Sequence, residues 1–564
     1  MLQRGVNATL PRIEQLADEA FELGRCLRKT GLAGQMRMAG VRTALQSLVL
    51  GGPSPSLIYR IHAANSPDRV AIRCGGRALS YETLNFRIDK LANGLVQSGF
   101  TPGDRAVVML RNGAEFVEVQ AALARAGGSA VNVSSRATVD ELAYVWAHAG
   151  AKWIFFDSAF SEVVGETRAR MANGGAPVGR GSAIVIGGEN RDARSYDELF
   201  KSGNDGAINR RLELDAAVIL YTSGTTGAPK GAVRKFPRGA LKAALQFIAE
   251  TPMHSDDVHL TVLPLYHSTA YAFLGFTHLL GGTVVIAPEF SPTSFLTLVD
   301  THAVTTTAVV PTMLHRLVAL DDTSARRFST SSLRAIFSCG APLSGPLAVN
   351  TMDRFGDILF NGYGATETGL VTLATPRDLR DAPGTIGRPV PGSSIRLLDN
   401  TGSEVLTGEV GELYAQNAML VEGYHRDAEA TQSSMRDGYF SVGDLARVDG
   451  GGRYFIEGRA RDMVISGGVN VYPAEVERAY EEHPAVDEIA VVGVPDDEWG
   501  ERVCAFVVLK REKTADAEAL RAWGRTRLAI AKVPRDFLFV DELPRNPTGK
   551  VLKTALRRDL RRDS

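Results

Sequence analysis

The sequence predicts an α/β protein: a large N-terminal body of merged α/β/α subdomains plus a β-barrel-like subdomain, then a smaller mobile α+β C-terminal domain. Three observations predict it. From about residue 56 to 459, short apolar runs such as RAVVML, WIFFD, SAIVIGG, AAVIL and HLTVLPL alternate with amphipathic stretches such as NGAEFVEVQAALARAG. That alternation is expected of parallel strands covered by helices. Around 390–424 the texture changes to short strands, SSIRLLD and GELYAQ, separated by Gly and Pro turns, which suggests an antiparallel or barrel-like subdomain. Beyond GRARDMVISGG, Pro473 stands at the first position of a helix, AEVERAYEE, and is followed by strands DEIAVVGV and RVCAFVVLK, a helix near 520–528 and a strand DFLFVDEL. The expected division is a helical N-terminal extension at 1–55, a body at 56–460 and a C-terminal domain at 461–564.

Composition excludes several classes. The chain has 564 residues, 63 Lys+Arg against 64 Asp+Glu, 44% apolar and 23% charged residues. This is the composition of a globular protein too long for a single small binding module. Net charge near zero argues against nucleic-acid binding through a global basic field. Cys26, Cys74, Cys339 and Cys504 show no metal spacing and no disulfide framework. The first 24 residues carry Glu14, Asp18, Glu19 and Glu22 where a secretory signal would be apolar, so no export and a cytoplasmic location are expected.

Two segments raise the question of membranes. Residues 258–288 contain no Asp, Glu, Lys or Arg, but Pro264, the Tyr266 to Thr269 run and Gly281-Gly282 divide them into strand, helix and strand. They read as core or as the wall of an apolar pocket. Between 23 and 67 there is no acidic residue, while Arg25, Arg28, Lys29, Arg37, Arg42 and Arg60 are basic. Residues 25–42 could therefore rest on an anionic membrane at its inner face. The favoured reading is a solvated helical extension, preceded by a helix with Leu10, Ile13, Ala17, Ala20, Phe21, Gly24 and Leu27 at helical spacing.

The strongest local signal is YTSGTTGAPKGA at 221–232, directly after the apolar run AAVIL. Glycines let backbone N–H groups turn toward a phosphate chain, Thr222, Ser223, Thr225 and Thr226 add donors, and Lys230 adds positive charge. A polyphosphate is the guest this pattern suits. It is not a Walker A loop, because Gly231 rather than Ser or Thr follows the lysine.

This segment resembles the phosphate-binding motif of the acyl-adenylate-forming, or AMP-binding, enzymes, which include acyl-CoA synthetases, peptide-synthetase adenylation domains and firefly luciferase. Four further segments match in the family's order: SCGAPL at 338–343, NGYGATETG at 361–369, YFSVGD at 439–444 with IEGR at 456–459, and PRNPTGK at 544–550. The resemblance covers roughly 56–560 and is nearest to the fatty acyl-CoA synthetases. It implies ATP with Mg²⁺ and coenzyme A as co-substrates. For the nucleotide it implies Thr222, Ser223, Gly224, Thr225, Thr226, Gly227 and Lys230 on the phosphates, and Gly340, Ala341 and Pro342 as a wall. Asn361, Gly362, Tyr363, Gly364, Thr366 and Glu367 then hold adenine and magnesium, and Asp444 with Arg459 the ribose. Glu367, with Thr222, would face the metal, since a carboxylate is a hard oxygen ligand. Lys550 would bridge the attacking carboxylate and the α-phosphate. Arg461, where relatives usually carry Lys or Asp, would mark the hinge, and Gly467 and Gly468 the coenzyme A channel.

In amino-acid-activating relatives the pocket motif carries an Asp for the substrate ammonium; this chain has PLYHS at 264–268 instead, which disfavours an α-amino acid. The resemblance makes His267 a pocket gate beside the substrate carboxylate. With Tyr271 and Phe273 in the uncharged stretch behind it, the expected substrate is a medium- or long-chain fatty acid. Three readings stay open: a fatty acyl-CoA ligase, with an aryl-acid CoA ligase as its variant; an acyl-AMP ligase loading a separate carrier protein; and a silent nucleotide-binding scaffold. Oligomeric state is not legible.

Overall fold

The computed structural model describes residues 24–50, 54, 56–172, 179–208, 217–222, 229–235, 238–321, 323, 326–466, 469–496, 499–546 and 549–560. The chain forms two compact units: Met1–Ala308, Asp322–Ala335 and Ala418–Thr431 make one, and Val309–Asp321, Ile336–Asn417 and Gln432–Ser564 the other. Of the expected helix spanning Leu10 to Leu27, residues up to 23 lie outside the described residues, and residues 24–29 are helical.

After the short helix Leu32–Gln35, the first unit has helices α1 (Met38–Leu50) and α2 (Leu57–Asn65), then β1 (Val70–Cys74), β2 (Arg77–Ser80) and α3 (Tyr81–Gln97). Ser80 caps α3, its hydroxyl accepting from Thr83 N–H at 3.1 Å, which satisfies one of the amides a helix start leaves open. There follow β3 (Arg105–Met109), α4 (Ala114–Arg125), β4 (Ser129–Asn132), β5 (Trp153–Asp157), β6 (Ala183–Ile186), β7 (Ala217–Thr222) and β8 (Lys230–Arg234). These strands, with Arg194–Ser195, form a seven-stranded sheet in which β6, β5, β3, β4 and β7 are parallel and β8 turns back antiparallel beside β7. Its inner strands are buried without alternation, as strands covered on both faces are.

The uncharged stretch resolves as β9 (Val258–Thr261), α5 (Ser268–Leu279) and β10 (Thr283–Ile286), with β9 and β10 parallel. It is a buried β-α-β passage, as expected. No helix among the described residues is long and apolar enough to cross a membrane. β1 pairs with β10, and β9 also pairs with β11 (Thr306–Val309).

An ionic knot ties the helices of this unit. Arg125, at the end of α4, is 0% exposed. Its guanidinium sits 2.9 Å from Asp89 of α3 and donates to the Asn85 side chain at 2.6 Å and the Ser56 carbonyl at 3.3 Å, while Arg60 of α2 reaches the same Asp89 at 3.4 Å.

The second unit contains α6 (Pro311–Val318), β12 (Ala335–Cys339), β13 (Leu359–Ala365) and β14 (Gly369–Ala374). A five-stranded antiparallel sheet follows, with β15 (Ser394–Leu398), β16 (Gly411–Gln416), β17 (Tyr439–Val448) and β18 (Tyr454–Arg459), where the barrel-like subdomain was expected. The C-terminal part has β19 (Val464–Ser466), β20 (Val469–Val471), α7 (Pro473–Glu481), β21 (Val486–Asp496), β22 (Gly500–Leu509) and β23 (Asp536–Phe539). Pro473 opens α7 as anticipated. The α7 residues Val476 and Tyr480 join Val491, Val503, Ala505 and Leu520 in a core of their own.

Candidate active site

In the second unit β13 and its turn carry Asn361, Gly362, Tyr363, Gly364, Thr366 and Glu367, while Gly340, Ala341 and Pro342 follow the end of β12. Asn361 is fixed by its amide donating to the Thr385 carbonyl at 2.9 Å. A Cβ at Gly364 would lie 2.0 Å from the Gly369 carbonyl oxygen, so only glycine lets β13 and β14 close this tightly.

Asp444 of β17 and Arg459 of β18 stand directly opposite one another across the ladder. Arg459 Nε donates to Asp444 Oδ1 at 3.0 Å and the Tyr363 hydroxyl donates to Oδ2 at 2.8 Å. Burial, reinforced by the Asp444 charge, holds the Tyr363 phenol well above its ordinary value, so it remains a donor. An ionised carboxylate has about four acceptor sites. Two remain for a vicinal diol, and the carboxylate is already oriented from both sides. Glu367 is 6% exposed. Among the described residues no group of three or more His, Cys, Asp or Glu could hold a metal unaided. A single hard carboxylate fits Mg²⁺, which takes most of its ligands from phosphates and water.

Lys550 lies in the same region. Burial, with the positive charges of Arg459 and Arg461, pulls its ammonium down to about 8, against the opposing pull of Asp444 and Asp462. Its loop is a small hairpin: Lys550 N–H donates to the Asn546 side chain and Asn546 N–H to the Lys550 carbonyl, both at 2.9 Å, and Arg545 donates to the Gly549 carbonyl at 2.7 Å. Arg461 sits in the 3-10 turn Ala460–Asp462, 4.0 Å from Asp462, which also takes a hydrogen bond from Arg557 at 2.9 Å.

The remaining expected site residues of the body belong to the first unit. Ser223, Gly224, Thr225, Thr226, Gly227 and the Thr222 side chain lie outside the described residues, as do Gly467 and Gly468 of the second unit. The strands flanking the phosphate segment are described: Thr222 pairs with Lys230, which opens β8 with its ammonium 5.1 Å from the Tyr424 ring centroid. His267 is the N-cap of α5. Its Nε2 is buried without a hydrogen-bond partner among the described residues, and burial lowers its pKa to about 4, so the ring is neutral. A neutral imidazole beside the open amides of a helix start can receive a carboxylate.

Phe273 does not share the face of Tyr271: two residues apart on a helix they point to opposite sides. Phe273 is 3% exposed and stacks on His259 at 5.8 Å, beside Phe247 and Phe276, within the core. The half-exposed side of α5 carries Ser268, Tyr271, Ala272, Gly275 and Leu279. A Cβ at Gly275 would meet nothing within 4 Å. The helical period, applied to the uncharged stretch, is the signal that separates Tyr271 from Phe273.

A profile of the AMP-binding enzymes matches residues 59–425, and one of the AMP-binding enzyme C-terminal domain matches 475–550. The chain belongs to the AMP-binding enzyme family. This AMP-binding enzyme is 36% identical over 500 residues to a feruloyl-CoA synthase of Amycolatopsis, covering 88% of the chain and 97% of the relative. It is 29% identical over 480 residues to the long-chain-fatty-acid–CoA ligase FadD13 of Mycobacterium tuberculosis, covering 85% and 92%. Among solved structures it resembles ATP-bound MatB from Rhodopseudomonas palustris, with a TM-score of 0.79, 32% identity and coverage of 90% and 99%.

Two features of this AMP-binding enzyme escape sequence reasoning. Gly275 carries no side chain to notice, and His315 of α6 pairs with Asp487 at 3.2 Å across 172 positions of sequence.

Proposed function

We propose that the protein is an acid–thiol ligase that makes an acyl-CoA from a carboxylic acid, ATP and coenzyme A by way of an acyl adenylate. The observation that carries this is Asp444, oriented by Tyr363 and Arg459, with Lys550 in the electrostatic field of the same pair. In the first step a carboxylate oxygen bonds to the α-phosphorus as the bond to the β-phosphate breaks and pyrophosphate leaves. In the second the thiol sulfur bonds to the acyl carbon, the acyl–oxygen bond to AMP breaks, and the thiol proton passes to solvent. Asp444 and Arg459 hold the ribose, and Lys550 places its cation between the attacking carboxylate and the α-phosphate. His267 receives the carboxylate. Glu367, with Thr222, would hold Mg²⁺, which when bound offsets phosphate charge. Lys230 and residues 222–227 take the phosphates, Gly467 and Gly468 the pantetheine arm. Residues 461–564 act as a mobile domain pivoting near Arg461.

An aryl-bearing acid is the favoured substrate. The phenol of Tyr271 and the open position at Gly275 make a wall with one polar group and one gap, and the 36% identity to a feruloyl-CoA synthase points the same way. A fatty acid is the second reading, favoured by the similarity to FadD13. A panel of aryl and aliphatic acids in acid-dependent ATP–pyrophosphate exchange, repeated with coenzyme A, separates them; exchange with no acid tested would contradict the whole reading. Gly275→Leu is expected to lower kcat/KM for the preferred acid by about 10-fold or more while sparing acetate, since the new side chain fills the gap. The variant gains helix propensity, so loss by unfolding is not expected. Equal effects on both acids would remove Gly275 from the pocket.

We also propose peripheral contact of residues 25–42 with an anionic membrane. On α1, Met38 is 82% exposed and Leu45 59%, with Val41 between them and Arg37 and Arg42 alongside. Met38→Glu with Leu45→Glu should reduce sedimentation with phosphatidylserine vesicles; unchanged sedimentation rejects the contact.

A further inference from the structure

The hairpin that carries Lys550 is held from one side by a single short helix. Gly549 stands at φ +78, where a Cβ would lie 2.5 Å from Thr312 Oγ1, so the hairpin backbone lies against α6 at this point. One turn further along α6, His315 Nε2 is 3.2 Å from Asp487 Oδ1. The next residue, Glu488, pairs with Arg545 at 2.5 Å, and Arg545 donates to the Gly549 carbonyl at 2.7 Å. A continuous run of polar contacts therefore joins α6 to the backbone next to Lys550: His315 to Asp487, its neighbour Glu488 to Arg545, Arg545 to Gly549.

We propose that His315 is a positioning residue for adenylate formation, pairing with Asp487 to hold the Lys550 hairpin beside Asp444 and Arg459. This rests on the ligase reading given above. Nothing in the thiol-transfer step requires Lys550 to stay there, so the pair acts on one half-reaction.

The charged groups facing the imidazole are Asp487 and Glu488, which favour its protonation, and Arg545, which opposes it; the net effect raises its pKa above the ordinary histidine value. The helix Gly345–Phe355, packed on α6, sends Arg354 to the Val318 and Leu320 carbonyls. Because the pKa is raised, the ion pair is fully present below the ordinary histidine value and is lost as pH climbs through the raised one. Adenylation should weaken relative to thiol transfer over that window.

The test uses the full-length enzyme and the variants His315→Gln, His315→Lys and Asp487→Asn. Acid-dependent ATP–pyrophosphate exchange and thioester formation from supplied acyl-AMP are measured from about pH 5.5 to 8. The imidazole of His315 is titrated in parallel by NMR. Expected are an exchange rate about 3- to 5-fold lower in His315→Gln at the acid end, an unchanged thioester rate, and loss of the pH-dependent fall in their ratio. His315→Lys should restore the ratio without that fall, and Asp487→Asn should lower the His315 pKa. Equal loss in both half-reactions, unchanged exchange in His315→Gln, or the same His315 pKa with and without Asp487 would overturn the proposal. Absence of exchange in the wild-type enzyme would instead refute the ligase reading and, with it, any catalytic role for the pair; the NMR titration still decides whether the contact exists.

Discussion

Lys550→Ala is expected to lower acid-dependent ATP–pyrophosphate exchange by about 10²- to 10³-fold, the range for removing a preorganised charge from a developing transition state. Conversion of supplied acyl-AMP to thioester should stay within about threefold of wild type, because the role proposed for Lys550 belongs to phosphorus chemistry already completed. The half-reactions separate a catalytic loss from a folding loss, which would lower both. The pH dependence follows from the same site. Burial, with Arg459 and Arg461, holds the Lys550 ammonium down to about 8. Since the role requires the charged form, kcat/KM for adenylation, which reports the free enzyme, should fall as pH rises past about 8. Lys550→Arg cannot lose its proton in that range, so its residual exchange should lack the alkaline fall. A Lys550→Ala enzyme that loses both half-reactions equally would contradict the assigned role.

Asp89→Ala is expected to be the most damaging substitution for stability, by about 3–5 kcal/mol in urea denaturation at neutral pH. The reason is the partner left behind. Arg125 is fully buried and its guanidinium sits 2.9 Å from Asp89, with Arg60 at 3.4 Å from the same carboxylate. Removing the acid takes away the carboxylate that both guanidinium groups share, in a low-dielectric core, which is worse than never having buried the pair. Asp89→Leu combined with Arg125→Met should therefore recover much of the loss. A loss below about 1 kcal/mol for Asp89→Ala, the range of an exposed pair, would show that water reaches the knot.

Sequence is most legible where chemistry is written in contiguous residues. The segments at 338–343, 361–369 and 439–444 place glycines and one or two polar groups within a single strand and turn, and a strand delivers neighbouring residues to neighbouring places. The β-α-β reading of residues 258–288 succeeded for the same reason, since Pro264 and Gly281-Gly282 mark its joints. Phe273 shows the limit: an apolar helix in an apolar setting does not announce which side faces the core, although residues two apart point to opposite sides. Arg125, Asp89, His315 and Asp487 look like ordinary solvated charges in sequence. Their importance comes from pairings across 36 positions of α3 and α4 and across 172 positions between α6 and β21. No local pattern records such distances.

The central claim is that the acid's own oxygen becomes bonded to the α-phosphorus. The most direct test supplies the preferred acid labelled with ¹⁸O in both carboxylate positions, with ATP, Mg²⁺ and coenzyme A, and weighs the products by mass spectrometry. An acyl adenylate whose acyl–oxygen bond is broken by the thiol leaves one labelled oxygen in each AMP, with unlabelled pyrophosphate. Unlabelled AMP, or ADP accompanied by labelled phosphate, would contradict the account.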